Sequence, residues 1–148
     1  MNSRKLPPAS VVILAAGAIM LIGSFLAFYK VSSPLATVTL NAWDHGLFMI
    51  ATLPALLGAF MALQVALQAF SNIDMPPRLL GLTWDQFHIV LSFQAALLML
   101  AVLARKPNLV GLPMTFGVGF WVMLVGSGGL VAGALMRVAA TGRRPRLL

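Results

Sequence analysis

Four apolar runs, each long enough to cross a lipid bilayer, constrain this 148-residue chain more than any other feature. They lie at Val11–Tyr29, His45–Phe70, Phe87–Ala104 and Leu112–Met136. A hydrocarbon core about 30 Å thick needs roughly 20 residues of helix at about 1.5 Å each. Lipid offers backbone N–H and C=O groups no partner, so a run of this length must satisfy them internally, as a helix. The expected fold is an all-α membrane protein, one domain over residues 1–148. Its core is a four-transmembrane-helix antiparallel bundle with a short strand-like outer loop, and a basic tail follows at 137–148.

Hydrophobic residues make up 60% of the chain and charged residues only 9%, which a soluble bundle with charged outward helix faces would not tolerate. The net charge of +7 is compatible with nucleic-acid binding in magnitude but not in placement. Arg4 and Lys5 precede the first run, and Arg137, Arg143, Arg144 and Arg146 follow the last. Basic residues at span ends mark the cytoplasmic face and attract anionic lipid head groups. No nucleic-acid partner is expected; the bilayer, its anionic lipids included, is. The absence of cysteine excludes disulfide frameworks and thiolate chemistry. The first apolar run exceeds the usual signal-peptide core and lacks a small-x-small site after it, so it reads as a retained helix.

An even number of spans puts both termini on one side. With that side cytoplasmic, Arg4, Lys5, Arg78, Arg137, Arg143, Arg144 and Arg146 lie inside and Lys30, Arg105 and Lys106 outside, as the positive-inside rule favours. The expected location is therefore the cell membrane, multi-pass, with cytoplasmic ends. In the first outer loop, Thr37-Val38-Thr39-Leu40 alternates polar and apolar β-branched residues, a short strand signal. Met75-Pro76-Pro77 interrupts any helix between spans two and three, and Pro54 is expected to kink span two.

Small residues form the first non-random pattern. Gly119, Gly126 and Gly133 recur every seven residues in span four, and Gly129 to Gly133 is a GxxxG. Ala55, Gly58 and Ala62 line a face of span two. Membrane helices gain little from the hydrophobic effect, so such faces serve close backbone approach, within the chain or against a partner. A polar pattern follows. Gln64 and Gln68 share one face of span two, His88 and Ser92 one face of span three, at matching depths in antiparallel helices. The reading is a two-rung interhelical ladder, Gln68 with His88 and Gln64 with Ser92. Gln94 lies some 120° further round span three. At the outer mouth of span two, Asp44 and His45 read as a helix cap.

His45 and His88 begin their spans at opposite ends and cannot share a haem iron; no metal-ligand cluster is present, and no cofactor is expected. No Asp or Glu falls inside the four runs, which removes the usual carboxylate of proton-coupled transport.

Two short motifs carry a family likeness. Asn41-Ala42-Trp43-Asp44-His45-Gly46 opens span two after the strand-like loop, and Gly117-Val118-Gly119-Phe120-Trp121 enters span four. In that order of features the chain resembles the small claudin-like four-span membrane proteins of high-GC Gram-positive bacteria, whose role is unassigned. The resemblance implies the architecture. It does not carry cell–cell adhesion, because the paired cysteines and Gly-Leu-Trp of true claudins are missing. The functional expectation is a non-catalytic accessory or scaffold subunit that packs against other membrane proteins or itself. The alternative is a small oligomeric transporter or channel with a polar path at Gln64, His88 and Gln94.

Overall fold

The computed structural model describes residues 6–33, 36–44, 48–71, 76, 78–79, 81–105, 108–109 and 112–142. Among these, four helices are long and apolar enough to cross a membrane. They are α1 (Pro8–Phe25), α2 (Leu53–Phe70), α3 (Trp84–Ala104) and α4 (Val118–Gly142). A π-helical turn, Phe48–Thr52, leads into α2. The strands are β1 (Tyr29–Ser32), β2 (Thr37–Leu40), β3 (Arg78–Leu79), β4 (Leu82–Thr83), β5 (Asn108–Leu109) and β6 (Leu112–Phe116).

The helices form a ring in which α1 packs on α2 and α4, and α3 closes the far side against both. Small residues set the spacing. An added Cβ at Gly119 would fall 2.7 Å from the Gly23 carbonyl oxygen, at Gly126 2.5 Å from Met20 Cγ, and at Gly133 2.7 Å from Ile13 Cγ1. Partner numbers fall along α1 as they rise along α4, so the two are antiparallel and Pro8 and Gly142 share one end. The seven-residue glycine face therefore packs inside the chain, against α1. Down the axis the core is filled by Ile13, Met20, Met61, Met99, Met123 and Leu130, all fully buried.

The opposite end carries a four-stranded antiparallel sheet in the order β2-β1-β6-β5, drawn from both loops at that end. Tyr29 pairs with Leu40 on one side and Phe116 on the other. This corrects two span boundaries. The first run was expected to stay helical to Tyr29, and the fourth to begin at Leu112. Instead Leu26 leaves the helix with extended dihedrals, and the Phe28 N–H bonds the Leu40 carbonyl at 2.7 Å. Residues Leu112–Phe116 join the ladder, and α4 starts at Val118 and runs six residues beyond Met136. Short apolar β-branched and aromatic segments satisfy either ladder, and the neighbouring strand decides. Under this sheet Phe116 stacks on Phe120 at 4.1 Å, and Phe28 meets Phe120 edge-on at 5.5 Å.

The kink expected at Pro54 assumed α-helix on both sides of it, but α2 starts only one residue earlier, at Leu53. The proline falls in the first turn of α2, directly after the π-turn, where its missing N–H is tolerated. At the termini end, β3 and β4 form a hairpin whose turn holds Gly81 at φ +82, a conformation glycine adopts without strain.

Candidate functional site

The termini end of the bundle gathers its polar side chains around one arginine. Thr83 caps α3 through a capping box: its hydroxyl accepts the Gln86 N–H at 3.4 Å, and the Gln86 Oε1 accepts the Thr83 N–H at 3.0 Å. Helix therefore begins at Trp84, three residues before the expected start, and Asp85 enters the first turn, where the helix dipole favours a carboxylate. The extra turns of α4 bring Arg137 and Thr141 alongside. Arg137 Nε donates to Asp85 Oδ1 at 3.0 Å, its Nη2 to Gln68 Oε1 at 3.4 Å, and its Nη1 lies 3.3 Å from His88 Nδ1. The Thr141 hydroxyl is 2.9 Å from Asp85 Oδ2. One guanidinium thus joins side chains of α2 and α3 to α4.

A guanidinium only donates, so His88 Nδ1 accepts and the ring proton sits on Nε2. His88 is completely buried, and its Nε2 has no hydrogen-bond partner among the described residues. Asp85 and Arg137 keep about a fifth of their side-chain surface exposed, 23% and 17%. The cluster is a neutralised ion pair in a low-dielectric wall, held by charge-assisted bonds.

This revises the expected ladder. Gln68 and His88 do come together at one depth, but through Arg137. Ser92 is buried and gives its hydroxyl to the Ile89 carbonyl of its own helix at 3.0 Å; Gln64 is buried in α2. The expectation of spans without a carboxylate also changes, because Asp85 belongs to α3. Sequence reasoning placed Asp85 in a loop and Arg137 in the tail. The Thr83-x-x-Gln86 pattern was the signal that could have moved Asp85 into the helix.

Gln94 is exposed on the outer surface of α3, whereas Gln64 and His88 are buried inside. These three do not line one path. Among the small residues, Gly129 faces Ala16, with an added Cβ 3.0 Å from its Cβ; Gly58 faces Met20 and Leu130; Ala55 is fully buried. Gly17, which the small-residue pattern had not singled out, is a close α1–α2 contact: an added Cβ would lie 2.5 Å from the Gly58 oxygen and 2.6 Å from Ala62 Cβ.

At the sheet end both motifs of the family likeness grip the exit of α1. Ala42 N–H bonds the Ser24 carbonyl at 3.0 Å, Trp43 Nε1 bonds Ser24 Oγ at 3.0 Å, and the Trp43 ring stacks on Phe25 at 5.5 Å. Gly117 and Gly119 give their N–H groups to Phe28 and Ala27 carbonyls, each at 2.8 Å. Asp44 Oδ2 accepts the Asn41 N–H at 2.6 Å, and Asn41 Oδ1 accepts the Trp43 N–H at 2.8 Å, closing the turn on itself. His45 lies outside the described residues, as do Arg143, Arg144 and Arg146 of the tail.

No family model, no curated protein and no solved structure matches this chain.

Proposed function

We propose that this integral membrane protein is non-catalytic and works by association, as an accessory or scaffold component that packs in the bilayer against other membrane proteins, its own copies included. The observation that carries the reading is the closed Arg137 cluster. The ionisable groups Asp85, His88 and Arg137 face one another and tie α2, α3 and α4 together, as a structural lock does. Arg137 donates to three side chains and Asp85 takes up both Arg137 and Thr141, so the charge is directed at holding helices. The outer faces of the helices are left for neighbours, and α3 offers the largest share, with 28% of its most apolar stretch buried against 44% for each of the others.

The charge asymmetry of the loops supports a cell-membrane location with both termini on the cytoplasmic side, the side on which an arginine-rich tail would find anionic lipid. The claudin-like likeness fits this reading through its two motifs, which act as joints around α1. Blue-native electrophoresis after extraction in mild detergent tests the proposal. A particle larger than one copy is expected, and a monomer at every protein loading refutes it.

A further inference from the structure

Polar side chains in the described helices fall into two groups. Ser24, Thr52, Gln64, His88, Ser92 and Ser127 are buried within the protein. The others lie within a turn or two of a helix end, where head groups and water are in reach. Gln94 belongs to neither group. Ten residues separate it from Trp84 and ten from Ala104, so it sits about 15 Å from each end of α3, at mid-depth. Its side chain is exposed and makes no hydrogen bond among the described residues. At that depth the solvent is hydrocarbon, and the short stem cannot snorkel to the interface. An amide left unpaired there is costly, because it forfeits both donors and acceptor.

The surface around it has the form of a helix contact. Val90, Phe93, Leu97 and Leu100 are all exposed, from 44% to 60%, and follow one another at steps of three and four residues. That spacing is the seam along which two helices cross at a small angle. What covers the seam must bring a donor and an acceptor to mid-depth. Copies of one chain insert with the same orientation, so two α3 helices related by a twofold axis along the membrane normal run parallel. Equal depths then meet by symmetry. The amide is self-complementary, and its counterpart arrives at the right level without any further coincidence.

We infer that the outward face of α3 joins two copies of this chain, with Gln94 hydrogen-bonded to the same residue of the second copy. The inference rests on the association reading above and names the partner in it. The chain lacks cysteine, so single-cysteine variants report contacts cleanly. Leu97→Cys lies on the seam, and Leu63→Cys, on α2, matches its exposure (60% and 58%).

The full chain is reconstituted at low density in phosphatidylcholine vesicles, oxidised with copper–phenanthroline and run on non-reducing gels. Leu97→Cys should give a disulfide dimer and Leu63→Cys should not. Adding Gln94→Leu, a change on the lipid face that leaves the fold intact, should raise the dimer dissociation constant about 3- to 20-fold. Gln94→Asn should recover part of that loss. Equal cross-linking at Leu63, no dimer at Leu97, or a dimer indifferent to Gln94→Leu overturns the inference. A large native particle without the Leu97 cross-link overturns it alone; a monomer in both experiments overturns the association reading as well.

Discussion

Gly119→Ala should open the bundle at the sheet end. A methyl group there would sit 2.7 Å from the Gly23 oxygen, 2.8 Å from the Leu26 oxygen and 3.0 Å from the Ala27 oxygen. Ordinary C···O contacts start at about 3.3 Å, so the shortfall is about 0.5 Å. All three atoms are backbone and cannot swing aside. The exit of α1 must move off α4, and the Gly119 N–H bond to Ala27 at 2.8 Å stretches with it. Overpacking of this kind costs about 1–3 kcal/mol, and a weakened hydrogen bond adds up to about 1 kcal/mol. Alanine recovers little helix propensity so near the start of α4. The net expectation is about 2 kcal/mol of destabilisation, roughly 30-fold in the unfolding constant. Gly128→Ala is the control: apart from its own helix backbone, no atom of the described residues lies within 4 Å of its added Cβ, and mid-helix alanine should be neutral or stabilising by up to about 1 kcal/mol. Reversible unfolding in mixed micelles, titrated with SDS and followed by helical circular dichroism, reads both. If the two variants unfold within about 0.5 kcal/mol of each other, the close α1–α4 approach is not what holds that end together.

Asp85→Asn and Arg137→Gln, made singly and together, should show a coupling of about 1–3 kcal/mol in the same titration, less than a fully buried pair because both side chains keep some exposure. Additive effects would mean that the ion pair contributes nothing. Thr83→Ala should cost about 1 kcal/mol and speed hydrogen exchange at the Gln86 amide while leaving the middle of α3 protected; uniform exchange along α3 would contradict the cap. Trp43→Phe keeps the stack on Phe25 but loses the bond to Ser24 Oγ, a loss of about 1 kcal/mol. Ser24→Ala should then add nothing further from that bond, and full additivity of the two would place Trp43 elsewhere.

Hydropathy alone made the quartet of spans legible, because a bilayer imposes length and composition together. The strand at Thr37–Leu40 was legible as well, from its alternating β-branched residues, although the strand itself is open on both faces, with Val38 54% exposed. Tyr29 and Leu112–Phe116 were not. They are as apolar as the helices they adjoin, and only the pairing of β1 with β6, more than 80 residues apart in sequence, makes them strands. The Arg137 cluster was hidden for a related reason. Asp85 and Arg137 are 52 residues apart, and each looked like a loop charge until the helices gained a turn at that end. Gln68 and His88 both reach the Arg137 guanidinium, and that cation came from the helix that hydropathy had ended six residues too soon. The glycine repeat was plain in the sequence, but its partner was not. Only the register of α1 against α4 shows that the face is covered inside the chain.

Sided labelling tests the central claim, a four-span bundle with its sheet on one face and both chain ends on the other. Single cysteines at Thr39 in β2, Arg78 in β3 and Gly142 at the end of α4 would be exposed to a membrane-impermeant maleimide in sealed vesicles of defined orientation. Arg78 and Gly142 should label from one side and Thr39 only from the other. Labelling of all three from the same side, or recovery of the protein in the aqueous fraction, would contradict the account.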